Sequence, residues 1–195
     1  ASMLAGLALA PSAMAADTTI TLQGADGASL AGHTFNVYQI GTYTGVVLKG
    51  NQISSLGIQG TTESNAWADD AITIANGYDK DTSDDITKVG GYDAAGSIAA
   101  IDMAKQAKQL SNIQAALNAS SRKPATVAGG ADLTTQDATL NITVPEEGLY
   151  YITDSAGSPI IIGTKSGAGT AMSGAPGRTL GVAVIKSKSV TTDKK

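Results

Sequence analysis

The chain has 195 residues, no cysteine, one histidine and a formal net charge of -4. That balance argues against a nucleic-acid surface, which needs basic residues for phosphate. The missing thiols exclude disulfides, thiolate metal sites and thiol catalysis, and a lone imidazole excludes a histidine-built metal centre within one chain.

The length fits one ordinary domain or two small ones, and only 15% of residues are charged while Gly, Ala, Ser and Thr abound, as in exported surface proteins. The first stretch agrees. "MLAGLALAPSAMA" is a short apolar run with a helix-breaking Pro11 that ends in Ala13-Met14-Ala15, the small-x-small pattern of a signal-peptidase site. We read residues 1–15 as a signal-peptide remnant, with cleavage between Ala15 and Ala16. The run is too short to span a membrane, so the mature chain is expected to be secreted.

"TTITLQG" (Thr18 to Gly24) alternates and is β-branched, which predicts a strand. "HTFNVYQIGTYTG" (His33 to Gly45) predicts a second, with Phe35, Val37 and Gln39 on one face and Tyr38 and Ile40 on the other. "VVLKGNQISSL" reads as a further pair of short strands. "TESNAWADDAITIANG" predicts a helix with Ser64 and Asn65 as cap residues and Gly77 as the stop. A polar loop follows. Asp93 to Ser120 then predicts one long helix, because Ile98, Ile101, Leu110, Ile113 and Leu117 recur at spacings near three and four. The last third returns to strands: Leu140, Ile142 and Val144 alternate, a turn falls at Pro145 to Gly148, and runs at Leu149 to Thr153, Ile160 to Ile162 and Leu180 to Ile185 follow. Strands, helical excursion, strands: the order predicts a mainly β (α+β) chain, a β-sandwich with a helical insertion between early and late strands.

Candidate chemistry is thin. "GTKSGAGTAMSG" lacks the Gly-Lys-Ser/Thr end of a phosphate loop and reads as a flexible surface loop. "DKDTSDD" begins with calcium-loop spacing at Asp79 and Asp81, but Asp84 stands where that loop needs Gly and Gly90 where it needs the bidentate Glu, so we read a solvated acidic loop. His33 lacks a Gly-x-Ser-x-Gly partner motif and reads as a partly exposed structural histidine. Glu146 and Glu147 are adjacent on a strand and point to opposite faces, unsuited to share one substrate. No constellation supports an enzyme, and none calls for a cofactor. One oddity remains: of thirteen Lys plus Arg, four lysines (Lys186, Lys188, Lys194, Lys195) fall in the last ten residues, straight after a strand-like run. They read as a solvated tail, or one of them as an amine nucleophile toward an activated acyl group.

Taken in order, "HTFNVYQI", "ISSLGIQG", the helical region, "VPEEGLYYITD" and "LGVAVIKSKSVTTDKK" resemble the N-terminal domain of sortase-assembled backbone pilins of Gram-positive bacteria, over about Asp17 to Lys195. His33, Thr34, Phe35, Tyr38 and Ile40 fit that family's second strand. Pro145, Gly148, Tyr150, Tyr151, Ile152 and Asp154 fit its later Pro-x-Gly-Tyr-Tyr turn and strand, with one extra residue, Leu149. "IKSK" is similar to the pilin motif, with Ser187 in place of its proline.

The resemblance implies an Ig-like or CnaB-like sandwich over residues 16–188, a linker over 189–195 and further domains with a sorting signal beyond Lys195. It implies that Lys188, with Lys186 as the fallback, accepts the sortase-activated threonine of an identical subunit. The implied partners are a pilin-specific sortase and identical pilin subunits in a covalent, cell-wall-anchored fibre. The family's internal Lys–Asn bond is left open: its usual lysine is absent from the first strand, and Asn141 with Lys49, Lys165 or Lys186 gives no single pair. The alternative reading is an adhesin or pilus-tip domain that binds a host-surface ligand, a glycan or matrix protein, through the loop from Ser166 to Gly177.

Overall fold

The computed structural model describes residues 18–88, 90–101, 107–174 and 179–186. Within them the chain is mainly β, with two mixed sheets and three helices arranged as three layers.

The outer layer is a three-stranded sheet. Its middle strand, β1 (Thr18–Gly24), pairs antiparallel with β5 (Thr139–Val144) and parallel with β9 (Val182–Ile185). The predicted alternation holds: Ile20 and Leu22 of β1 and Ile142 and Val144 of β5 point inward.

The middle layer is built on β2 (Thr34–Lys49), which takes in the stretch to Lys49 that the sequence suggested as a separate short strand. One edge of β2 pairs with β6 (Gly148–Asp154), which pairs in turn with β7 (Ile160–Gly163). The other edge is shared. β4 (Ala128–Thr134) takes Thr34 to Val37, and β3 (Gln52–Gln59) takes Thr42 to Lys49. Between them, Tyr38 to Gly41 have no strand partner on that edge among the described residues. A two-residue β8 (Ala171–Met172) closes the sheet beside β3. β4 and β8 were not legible as strands, because Gly129, Gly130 and the surrounding small residues give no alternation.

Both faces of this sheet are covered. Phe35 and Val37 face the outer sheet with Tyr150 and Ile152. Tyr38 and Ile40 face the helices with Tyr151. The register shifts between Gln39 and Gly41, where two steps on β2 oppose one on β6. This bulge flips the parity of the strand, so odd-numbered Tyr43 joins even-numbered Tyr38 and Ile40 against the helices.

The third layer holds α1 (Thr62–Asn76), α2 (Ala94–Ala99) and α3 (Ala107–Ala119). Thr61, not Ser64 or Asn65, caps α1: its Oγ1 accepts from Ser64 N–H, and Ser64 Oγ accepts in return from Thr61 N–H. Trp67, Ala68, Ala71, Ile72 and Ala75 form one buried face. Trp67 packs against Tyr38 and Tyr151, and its Nε1 donates to the Leu117 carbonyl at 3.0 Å. The single helix expected over Asp93 to Ser120 is not continuous, since α2 ends at Ala99 with a cap at Ala100. Residues 102–106 lie outside the described residues.

One carboxylate joins three of these elements. Asp93 caps α2 by accepting from Gly96 N–H at 2.8 Å, and it also accepts from Gly60 N–H at 2.9 Å and Asn65 Nδ2 at 3.1 Å. The approach is close: a Cβ on Gly60 would stand 2.9 Å from the Ala95 Cβ, so only glycine fits. Burial raises the Asp93 pKa, but the donors outweigh it and hold the carboxyl below its ordinary value. A depressed folded pKa gives stability that is present above the unfolded carboxyl pKa of about 4 and is lost as pH falls through the folded value. Asp93→Asn is therefore expected to lower unfolding free energy by about 1–2 kcal/mol at neutral pH, and by less near pH 3. Urea titrations followed by the fluorescence of Trp67 at the two pH values check this.

Candidate functional site

The end of β9 is the place where sequence reading put a reactive amine. Ile185 is buried in the core between the sheets, and Lys186, the next residue, is exposed. The Lys186 carbonyl oxygen lies 3.8 Å from where a Cβ on Gly157 would stand, and that same point is 2.8 Å from Oδ2 of Asp154. The turn after β6 thus packs between the strand end and a carboxylate. Gly157 N–H donates to the Asp154 carbonyl at 3.3 Å, and Ala156 N–H donates to its Oδ1 at 2.9 Å. Lys188, the preferred acceptor, lies outside the described residues, as do Ala15, Ala16 and the linker 189–195.

Asp154 is engaged from the other side. His33 Nδ1 lies 2.8 and 2.9 Å from its two carboxylate oxygens, and the side chains are only 7% and 3% exposed. This corrects the reading of His33 as partly exposed: it stacks on Phe35 at 5.7 Å and is buried. A carboxylate accepts only, so Nδ1–H is the donor. The pair clamps the start of β2 to the end of β6, where Phe35 and Asp154 are register partners. Both residues stand at the ends of stretches read as strands, but nothing in those separate patterns showed that the two side chains meet.

The glycine-rich segment is also tied down. Ser166 Oγ donates to Glu147 Oε2 at 2.6 Å and Gly167 N–H to Oε1 at 3.2 Å, while Ser166 and Gly169 exchange backbone bonds. Tyr43 Oη donates to the Thr164 carbonyl at 2.8 Å, and burial pushes its phenol well above the ordinary range. Up to Gly174 the loop carries β8 and is bonded at Ser166, Gly167 and Gly169, partners its composition did not announce; residues 175–178 lie outside the described residues. The two adjacent glutamates do diverge: Glu146 accepts from Gln39 Nε2 at 2.9 Å, away from Ser166.

The acidic loop spends its charge internally. Asp79 and Asp84 both hold Lys108 Nζ, at 2.6 and 2.9 Å, and Asp79 and Asp81 accept from backbone two residues on. Among the described residues no three His, Asp or Glu side chains form a metal-holding group. Asn141 is exposed on β5 and accepts from Thr21 Oγ1 at 2.9 Å; among the described residues it bonds to none of Lys49, Lys165 and Lys186.

Two cavities are roomy. An apolar one of about 410 Å3 lies between the helices and β6–β7, with Ile98, Ile101, Leu110, Leu149 and Ile161 in its walls. A second, of about 300 Å3, opens where β2 has no strand partner between β4 and β3; polar side chains stand in its walls, but more of its exposed lining is apolar than polar.

Comparison with models of known protein families, with characterised proteins and with solved structures finds no match.

The His33–Asp154 pair has a measurable consequence. His33→Ala leaves a buried carboxylate with no imidazole and is expected to cost about 3–5 kcal/mol. Asp154→Asn keeps an acceptor for Ala156 N–H and for the ring, and is expected to cost less. Equilibrium unfolding of the two variants ranks them, and equal or reversed losses would contradict the clamp.

Proposed function

We propose that the chain is the N-terminal domain of a structural shaft subunit of a covalently polymerised cell-surface pilus, with an Ig-like or CnaB-like sandwich as its β framework. The observation that carries the reading is the end of β9: a buried Ile185, then the exposed Lys186, two residues before Lys188. A second point supports it. The two motifs that resemble pilin strands, thirty-three to forty and 145 to 154 in this chain, are hydrogen-bonded neighbours in the middle sheet.

In this reading a sortase holds the C-terminal threonine of one subunit as a thioester. The neutral Nζ of Lys188 attacks the thioester carbonyl. The C–N bond forms, the C–S bond breaks, the sulfur leaves with the enzyme and the amine gives up one proton. The protein is substrate and building unit, not catalyst, and the fibre is displayed outside the cell. A covalent joint suits a fibre under load, because no noncovalent interface has to hold there.

Lys188→Ala is expected to abolish the ladder of high-molecular-weight polymers extracted from the cell wall, with Lys186→Ala leaving it intact. Loss only in Lys186→Ala would move the joint to the fallback lysine. Polymers that persist when both lysines are replaced would overturn the reading.

A further inference from the structure

We propose that the cleft beside β2, with its mixed polar and apolar lining, binds a neutral saccharide. The cleft exists for a topological reason. β4 leaves the edge of β2 after Val37 and β3 joins it only at Thr42, so the sheet has a notch at the bulge. Gly41 lies within the notch and Thr42 at its border. Gln39 and Glu146 stand on one side, Gln59, Gly60 and Thr61 on another, and Pro124 and Val127 at the rim. Its volume of about 300 Å3 is at the lower end of what small-ligand sites use.

The side chains select the class of ligand. A sugar hydroxyl is donor and acceptor at once, so it is matched by groups that offer both. The amides of Gln39 and Gln59 do so. Among the described residues Gln59 has no side-chain partner and is exposed, while Gln39 uses Nε2 on Glu146. Glu146 adds a carboxylate that accepts hydroxyl protons in charge-assisted bonds. Pro124 and Val127 give an apolar border for the C–H face of a pyranose ring. Among the described residues Glu146 is also the sole charged side chain in the lining. An anionic ligand would meet unbalanced negative charge, which sets sialylated, sulfated and phosphorylated ligands at a disadvantage.

The frame is rigid, as a binding site requires. Gly60 is fixed by Asp93, Thr61 and Ser64 are locked in the cap of α1, and Gln39 is held by Glu146. None of the described residues of the segment Ser166 to Gly177, where the sequence suggested a ligand surface, lines the site, and the proposal rests on the cleft alone, not on the pilus reading.

The test is a titration of the isotope-labelled 195-residue chain, observed through its backbone amides, with lactose, maltose, diacetylchitobiose and sialyllactose. At least one neutral disaccharide is expected to shift the Gly41, Thr42 and Gly60 amides with a dissociation constant in the millimolar range. Sialyllactose is expected to bind more weakly. Gln59→Ala, a change at an exposed side chain, and Glu146→Gln are each expected to weaken binding about tenfold, the equivalent of one good hydrogen bond. The proposal is overturned if no neutral sugar moves the cleft amides, if both variants bind as the parent does, or if sialyllactose binds as well as its neutral counterpart.

Discussion

β2 has to serve two cores at once, and the rest of the structure follows from how it does so. The middle sheet is covered by the outer sheet on one side and by helices on the other, so every inward side chain on β2 and β6 is assigned to one core or the other. Tyr150, Tyr151 and Ile152 alternate between the two cores in three successive residues. Each fully buried large apolar side chain contributes about 1.5–3 kcal/mol. A one-residue slip would exchange the two sets wholesale and cost several such terms. Register is therefore the quantity this fold protects. It is fixed at one end by the buried His33–Asp154 pair and interrupted at the other by a bulge that turns Tyr43 toward the helices.

The helix layer closes on the same strand through aromatic contacts. Tyr38, Trp67 and Tyr151 meet with ring centroids 5.7 to 6.2 Å apart, in tilted and edge-on arrangements that suit ring quadrupoles. Each polar tip has a partner where burial demands one: Trp67 donates to the Leu117 carbonyl and Tyr151 Oη to the Gln114 carbonyl. Both acceptors are on α3, so the bonds that satisfy the aromatic residues also seat that helix. Asp93 does the corresponding work for α2. Helix placement here depends on a few directed bonds more than on a wide apolar stripe, because much of the buried helical surface is alanine.

What was legible in the sequence divides along physical lines. Strict alternation on β1, β2 and β5 announced strands and gave their inward residues, because a period of two is local information. The strand–helix–strand order and the two faces of β2 followed from the same signal. The continuity of β2 through Gly45 did not, since a glycine there reads as a break, and neither did β4 and β8, because glycines and small residues carry no alternation and these strands exist by pairing with β2 or β3. The cap at Thr61 was misplaced by three residues, since Ser64 is also a cap-type residue and only the geometry separates N-cap from N3. The fixing of "SGAG" by Glu147 was invisible, because a glycine-rich composition reports the freedom of a chain without its tertiary partners. Of the candidate site, the exposed Lys186 at the strand end was legible and its neighbours were not, while the preferred Lys188 lies outside the described residues. The contact between the Gly157 turn and the Lys186 carbonyl joins segments nearly thirty residues apart.

The cleft beside β2 and the strand-end lysine stand in a definite relation through β6. Glu146 and Gly148 lie at the start of that strand, beside the cleft; Asp154 and the turn to Gly157 lie at its end, beside Lys186. Seven residues of extended chain separate them, a span of roughly 20 Å at about 3.3 Å per residue. The elements around the two places also differ: the cleft is framed by β2, β3 and the cap of α1, whereas the strand end is framed by β9 and the turn between β6 and β7. A bond made at the end of β9 therefore alters neither the lining of the cleft nor the pairing that creates the notch. Under the pilus reading a subunit could be joined at one end of β6 and keep the other end open, so polymerisation and ligand binding place independent demands on this domain. The shared element is β6 itself, and its register, held by His33, is what both proposals require.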